Sequence, residues 1–218
     1  MTASKKKPTK ARKPKDTKPA KLWFKVLLNG KSFHGSNFEW SLPANDKPGK
    51  WHAVPDSQPL DICRVGFHLT DRPGEWWSQG ASFFIAEYDG EVTEYQKDGA
   101  KIACRKVRLL REATLSELAS AGVFKDGEYQ AMSGEKCLAL ANSTVTAWDN
   151  STVTARDNST VTALANSTVK SSKYHSGKIE AREKTTVIRR GIRAAISLFG
   201  CAVEIDWTKQ TATMRTAS

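Results

Sequence analysis

The sequence predicts an α+β N-terminal domain with a mostly antiparallel sheet, followed by a short all-β, solenoid-like octapeptide-repeat module. Three observations predict this class: apolar runs separated by turn residues in the first half, one helix-capping motif, and a strict eight-residue period over residues 141–169. A fixed internal period indicates one small structural unit that is repeated in space. The predicted divisions are 1–21, a disordered basic arm; 22–133, the α+β domain; 134–190, the repeat module; and 191–218, a C-terminal cap and tail.

The first 21 residues form a strongly basic segment, with nine Lys or Arg against one Asp and therefore +8 of the chain's net +11. The segment has no apolar residue larger than Ala after Met1. It cannot bury enough surface to offset the entropy of ordering, so we expect it to be disordered. We expect its cations to bind a polyanion, nucleic acid being the most abundant, without sequence preference; a solubilising tail without specific contacts is the alternative. These cations are Lys5, Lys6, Lys7, Lys10, Arg12, Lys13, Lys15, Lys18 and Lys21.

The domain that follows contains several apolar runs bounded by Gly, Pro, Asn or Asp, a pattern typical of strands. The predicted strands are 22–28, 62–70, 81–88 and 101–110, with 32–40 either a further strand or an irregular aromatic layer and 43–59 a long loop. Thr114 and Glu117 are spaced as a capping box, which starts a helix by satisfying its first free amides. Gly122 should end that helix.

The repeat module reads Asn-Ser-Thr-Val at 142, 150, 158 and 166. Alternation within each octad places Val on one face and Thr on the other, and Asp149-Asn150 tolerates the left-handed backbone of a turn. Two arrangements fit the period: a solenoid, with Val145 stacked on Val161 and Val153 on Val169, or a meander of hairpins. Small inward residues favour the solenoid. The predicted repeat core is Val145, Val153, Val161 and Val169.

The period slips by two residues after the last perfect octad, which predicts a loop insertion within 170–178. Residues 189–199 fit a short amphipathic helix and 201–207 a last strand, and together they would cap the repeats. The four cysteines are scattered and the four histidines lack metal-ligand spacing, so we predict buried thiols, no metal site and no cofactor. No stretch is long and apolar enough to span a bilayer.

The octad Ala-Trp-Asp-Asn-Ser-Thr-Val-Thr at 147–154 resembles the octads of bacterial ice-nucleation proteins. That resemblance implies that Thr152 and Thr154, stacked in flat ladders, would order water. The other interpretation is that these threonines cover a solvent-facing strand.

A second resemblance comes from Phe33-His34-Gly35, then Gly66-Phe67-His68-Leu69-Thr70, then a strand that bears Glu87. This order resembles the diphtheria-toxin-like ADP-ribosyltransferases and implies an enzyme that uses NAD. His34 would hold the nicotinamide ribose, His68 would replace the family's stacking Tyr, and Glu87 or Glu94 would be the catalytic acid. Otherwise both histidines simply lie on strands and Glu87 faces solvent.

The segments 65–71, 84–90 and 101–111, followed by low-complexity octads, resemble an uncharacterised family of phage and prophage proteins. The resemblance implies a phage or bacterial origin, in the host cytoplasm or the virion. Our leading hypothesis is a non-enzymatic accessory or virion-associated binding protein, with a polyanion on the arm and a protein partner on the repeats. The alternative is the ADP-ribosyltransferase-like enzyme.

Overall fold

The protein is mainly β in the computed structural model, which describes residues 21–32, 38–62 and 64–214. It consists of a small antiparallel β-barrel followed by a parallel β-solenoid of about five turns. The predicted α+β class is therefore wrong. Within the described ranges the α-helical structure is the six-residue α1 (Leu115–Ser120), and a 3-10 turn covers Pro73–Trp76.

The barrel is built from the apolar runs of the first half, and their bounds differ from the predicted ones by up to five residues. Its strands are β1 (Trp23–Leu28), β2 (His52–Ala53), β3 (Phe67–Thr70), β4 (Ala81–Val92) and β5 (Lys101–Glu112). Both β1 and β5 pair antiparallel with β3 and with β4, so these four strands close into a ring. Strand β2 adds two residues to β5.

Apart from Lys25, strand β1 is apolar on both faces because it lies between two cores. Trp23 and Leu27 pack inside the barrel. Phe24 and Val26 alternate to the outer face, where they pack with Leu118 of α1 and with residues that begin the solenoid. This second core joins the barrel, the helix and the first solenoid strands into one packed unit.

The predicted capping box is confirmed at the start of α1. The Glu117 amide donates to the Thr114 hydroxyl at 3.3 Å, and the Thr114 amide donates to the Glu117 carboxylate at 2.9 Å. The helix ends before Gly122, whose φ of +74° lies in the left-handed region that favours glycine. The sequence signals for the start and the end of the helix are therefore confirmed, and the helix between them is shorter than two turns.

The solenoid begins with two strands that each cross both of its sheets, β6 (Val123–Ala131) and β7 (Lys136–Ala147). The following strands are β8 (Thr152–Ala155), β9 (Thr160–Ala163), β10 (Thr168–Ser171), β11 (Lys178–Ala181), β12 (Thr186–Arg189), β13 (Ala195–Leu198), β14 (Val203–Asp206) and β15 (Thr211–Met214). One parallel sheet runs β7-β8-β10-β12-β14, and the other runs β6-β7-β9-β11-β13.

The strand register confirms the solenoid and excludes the meander. Val145 pairs with Val161, and Val153 pairs with Val169, all in parallel strands. These four valines are fully buried, together with the alanines two positions later in the first three octads. The chain turns from one sheet to the other at two edges of the solenoid. The first edge contains the turns that follow β8, β10, β12 and β14, and the second edge contains the turns that follow β6, β7, β9, β11 and β13. Asp149 and Asn150, on the second edge, both adopt positive φ, as the predicted turn requires.

The loop insertion lies between β10 and β11, where the sequence period slips. Thr152 pairs with Thr168, sixteen residues later, whereas Thr168 pairs with Thr186, eighteen residues later. The extra residues are anchored by His175, which is fully buried. Its Nε2 lies 2.8 Å from the Ser159 carbonyl oxygen and its Nδ1 3.2 Å from the Ser171 hydroxyl.

Acidification should destabilise the solenoid through His175. Burial lowers the pKa of this imidazole from its ordinary 6.5, so the unfolded chain binds the proton more readily than the folded chain. Stability contributed by neutral His175 is therefore present above about pH 6.5 and lost as the pH falls below it. Thermal unfolding followed by circular dichroism should give a lower Tm at pH 5 than at pH 7.

The matched variant for this prediction is His175→Asn, which keeps a polar side chain but does not titrate. The drop in Tm between pH 7 and pH 5 should be smaller for it than for the native chain. Part of the drop in Tm should remain in His175→Asn, because burial also lowers the pKa of His52. An equal drop in both proteins would contradict a role for His175.

The C-terminal residues continue the solenoid as strands. The prediction of a helix over 189–199 is therefore wrong. Strand β13 extends the sheet of β11 in parallel, and β14 forms the predicted last strand. Strand β15 then pairs antiparallel with β14. In the last turn the inward positions are polar: Arg189 Nε donates to the Glu204 carboxylate at 2.5 Å, beside Asp206. Open edges of parallel sheets need such a cover.

Candidate functional site

A cavity of about 610 Å³ lies between β1 and β3, which pair at a single position, Phe24 with Thr70. Its walls are mostly apolar and aromatic, and its polar groups include three cations. The lining includes one of these cations, four aromatic side chains and one histidine: Lys25, Phe38, Trp40, Phe67, Trp76 and His68. The other two cations are Arg64 and Lys101, and no Asp or Glu is among the described residues that line the cavity.

Lys25 is a buried cation of this cavity, with 9% of its surface exposed, as for Lys101. It takes the inward position between Trp23 and Leu27 because side chains alternate along β1. Its Nζ donates to the carbonyl oxygen of His68 at 3.2 Å and lies 4.8 Å from the ring centre of Trp40. Burial lowers the pKa of Lys25 from 10.5 to about 8.

The aromatic wall of the cavity is a packed cluster. Phe38 lies with its ring centre 5.4 Å from Trp40 and 5.4 Å from Phe67. His52 packs against the same rings, 4.9 Å from Phe38, and its Nε2 accepts a hydrogen bond from the Ser41 amide at 3.1 Å. The residues around Phe38 that the structure describes form an irregular aromatic layer, one of the two interpretations open from the sequence.

The residues predicted as catalytic are not brought together in the described part of the chain. His68 lies on β3 and lines the cavity. Glu87 lies on β4, is not among the lining residues, and forms an ion pair with Arg108 of β5. His34 is outside the described residues, so the NAD-dependent alternative stays a prediction.

Four of the five basic residues of β5 form ion pairs with acidic residues, and the fifth, Lys101, lines the cavity. Arg105 pairs with Glu91 and Lys106 with Asp89, across the β4–β5 pair. Further along, Arg111 pairs with Glu117 at 2.6 Å. Three neighbouring acids of β4 thus match three cations of β5, counting Glu87 with Arg108.

Positive charge in the folded part of the chain is concentrated in the last solenoid turns. Residues 170–214 carry nine Lys or Arg against four Asp or Glu, a net +5, whereas residues 22–169 carry fifteen against eighteen, a net −3. The net charge of the whole chain conceals this asymmetry, which a residue count in windows of the sequence shows.

On the first edge these cations lie beside exposed aromatic rings. Lys173 Nζ is 4.7 Å from the ring centre of Tyr174, and the Arg190 guanidinium is 5.6 Å from that of Trp207. The rings are 46% and 63% exposed. The backbone N–H of Trp207 donates a hydrogen bond to the Arg189 carbonyl oxygen. Trp207 therefore takes the same position in the last turn that Arg190 takes in the turn before it. We call Lys173, Tyr174, Arg190 and Trp207 the basic edge cluster.

Lys21 is the one arm cation within the described residues, and it is already engaged. Its Nζ lies 2.7 Å from the Asp71 carboxylate and 4.5 and 4.3 Å from the ring centres of Trp23 and Tyr95. Lys5, Lys6, Lys7, Lys10, Arg12, Lys13, Lys15 and Lys18 lie outside those residues. Lys21 therefore ties the arm's end to the barrel rather than adding a free cation.

The threonine ladders are in register but short. Thr144 pairs with Thr160, and Thr152 with Thr168. The second outward position changes to Lys170 beside Thr154, and β11 presents Lys178 and Glu180 outward. A regular threonine array thus extends over few turns, and the expectation of water ordering stays a prediction.

The described part of the chain has neither a metal-binding cluster nor a membrane-spanning helix. It contains no cluster of three or more His, Cys, Asp or Glu able to hold a metal ion. No helix there has the length and apolar character needed to cross a membrane. Cys104 and Cys137 are buried thiols and Cys201 is exposed.

Comparison with known proteins gives no relative from which a role could be transferred. No family model, no curated protein and no solved structure matches this chain.

Proposed function

We propose that this chain is a non-enzymatic binding protein, a phage or prophage accessory or virion-associated factor, that contacts a polyanion and a protein partner. The expected polyanion is nucleic acid, in the bacterial host cytoplasm or the virion. The observation that carries the proposal is the basic edge cluster, in which exposed rings lie beside cations. Cations that neutralise phosphates and aromatic faces that stack on bases are the two elements of sequence-tolerant single-strand binding.

The charges of the described residues support this assignment. Within the described ranges, none of Lys173, Arg190, Arg193 and Lys209 forms an ion pair with an acidic residue. Four of the five cations of β5, in contrast, form ion pairs. A polyanion would therefore meet unneutralised charge on the first edge of the solenoid and, by sequence, on the arm.

The second edge supports a protein partner. Met132, Trp148 and Phe199 each follow a strand of the β9 sheet, in different turns of the solenoid, and each is exposed. Met132 and Trp148 lie in successive turns, whereas Phe199 lies further along, beyond Leu164 and Arg182. Exposed large apolar side chains on a rigid surface are typical of protein contacts. The two edges would thus serve two different partners.

Binding of a fluorescent single-stranded oligonucleotide, measured by anisotropy across a salt series, tests the polyanion contact. Counterion release from a single strand gives a log–log slope of about −0.7 per phosphate, so about four to six contacts lower affinity roughly a hundred- to a thousandfold between about 30 and 150 mM salt. Lys173→Gln with Arg190→Gln should weaken binding about tenfold, since two phosphate contacts are lost.

The matched control is Arg72→Gln with Lys106→Gln, which removes the same charge from cations that are paired with Glu75 and Asp89. It should bind within about twofold of the native chain. A chain that begins at Lys21 keeps the contact with Asp71 and tests the arm. Equal affinity with and without the arm would show that the arm is not a binding element, and equal effects of the two double variants would contradict the edge.

A further inference from the structure

Lys25 is the least expected residue inside the barrel, because a buried charge is costly unless an opposite charge compensates it. Within the described ranges no carboxylate forms an ion pair with its ammonium group. The contacts of Nζ are one carbonyl oxygen, of His68, and the face of Trp40. An apolar side chain of similar length would fill the same space without this cost.

Neighbouring titratable groups do not supply the missing negative charge. Cys104 of β5 faces Lys25, and burial raises the pKa of its thiol to about 12, so the thiol remains protonated at neutral pH. The other titratable groups on the cavity wall, Arg64, His68 and Lys101, are bases. The ammonium group of Lys25 therefore has no counter-charge within the described wall.

The ammonium group of Lys25 lies at the wall of the cavity rather than within the packed core. The two residues that Nζ contacts, His68 and Trp40, both line the cavity. The volume of about 610 Å³ falls within the roughly 300–1,000 Å³ of small-molecule sites. Such sites combine apolar and aromatic walls with a few polar groups that fix the ligand's orientation.

We propose that the cavity between β1 and β3 binds an aromatic small molecule that carries an anionic group, with the anion at Lys25 and the ring between the aromatic walls. Phe38, Trp40 and Phe67 supply ring faces and edges for stacking. The absence of Asp and Glu from the described wall disfavours cationic ligands. This site is separate from the basic edge cluster, and the proposal does not depend on nucleic-acid binding.

A matched pair of dyes tests the proposal: anilinonaphthalene sulfonate, an aromatic anion, and phenylnaphthylamine, the same ring system without the sulfonate. The native chain should bind the anion at least tenfold more tightly than the neutral dye. Lys25→Met removes the charge at similar side-chain length, so the dissociation constant of the anion should rise at least tenfold. That of the neutral dye should stay within twofold.

The control variant is Lys31→Met, which removes a half-exposed lysine of the same domain that does not line the cavity. It should leave both dissociation constants within twofold. If Lys25→Met bound the anionic dye as tightly as the native chain, or the native chain bound both dyes equally, the proposal would be overturned.

A measurement on the native chain keeps the proposal testable if Lys25→Met fails to fold, and it locates the dye. Addition of the anionic dye should shift the backbone amide resonances of Phe67–Thr70 in β3, with those of β9 unchanged. Shifts confined to the solenoid, for example near the exposed ring of Trp207, would place the dye elsewhere and would overturn the site.

Discussion

Val153→Asp is expected to unfold the solenoid. Val153 is fully buried and pairs with Cys137 on one side and Val169 on the other, so a carboxylate there would lie inside a column of apolar side chains. No cation points into this column at that level, since the inward residues of the neighbouring octads are Val, Ala and Ser. We expect a loss of about 4 kcal/mol or more in the free energy of unfolding.

Thermal unfolding by circular dichroism, with hydrogen exchange to locate the effect, measures this change. The matched control is Thr152→Asp, one residue earlier on the outward face. Thr152 pairs with Lys136, which is exposed and also points outward, so the new carboxylate meets a cation and water rather than the core. It should change stability by less than about 0.5 kcal/mol. A Val153→Asp protein as stable as the native chain would contradict the inward position of the Val row.

Gly177→Ala should destabilise the insertion corner by about 3 kcal/mol, at the upper end of overpacking costs. A Cβ at Gly177 would lie 1.9 Å from the Ser159 carbonyl oxygen and 2.8 Å from two backbone carbonyl carbons. These are backbone atoms of the preceding turn, so they cannot move aside as a flexible side chain could. The same Ser159 oxygen contacts buried His175, so a shift would also disturb that contact.

Urea unfolding of Gly177→Ala measures this prediction, and Gly134→Asn is its control. Gly134 has a φ of +76° and would present its Cβ to open space, with nothing within 4 Å. Asn tolerates the left-handed region, so the cost there should stay below about 1 kcal/mol. Equal destabilisation by both changes would show that close approach at Gly177 is not the cause.

The candidate site was only partly predictable from the sequence. The resemblance to ADP-ribosyltransferases singled out His68, which does line the cavity, but it paired His68 with Glu87, which is held by Arg108. The sequence does not single out Lys25, because a lysine within an apolar strand usually alternates to the solvent face. In this barrel the inward face of β1 holds Trp23, Lys25 and Leu27, and both faces are covered.

The repeat module is the part that the sequence determined by itself. An octad contains a strand and its turn, so strand length, the inward Val and a left-handed residue directly before each Asn are all local properties that repeat every eight residues. Stacking such units in register follows because each parallel neighbour offers the same small side chains, as in the pairing of Val153 with Val169. The phase slip likewise located the insertion that His175 anchors.

Only the tertiary structure decided the closure of the barrel and the fate of residues 189–199. Strands β1 and β4 pair across more than fifty residues of chain, and their alternation is the same in an open sheet as in a closed ring. Residues 195–198 have an apolar pattern that also fits a helix, but the exposed edge of β11 offers unpaired backbone groups that a strand satisfies. Such choices depend on which partner is within reach in space, and a sequence period does not contain that information.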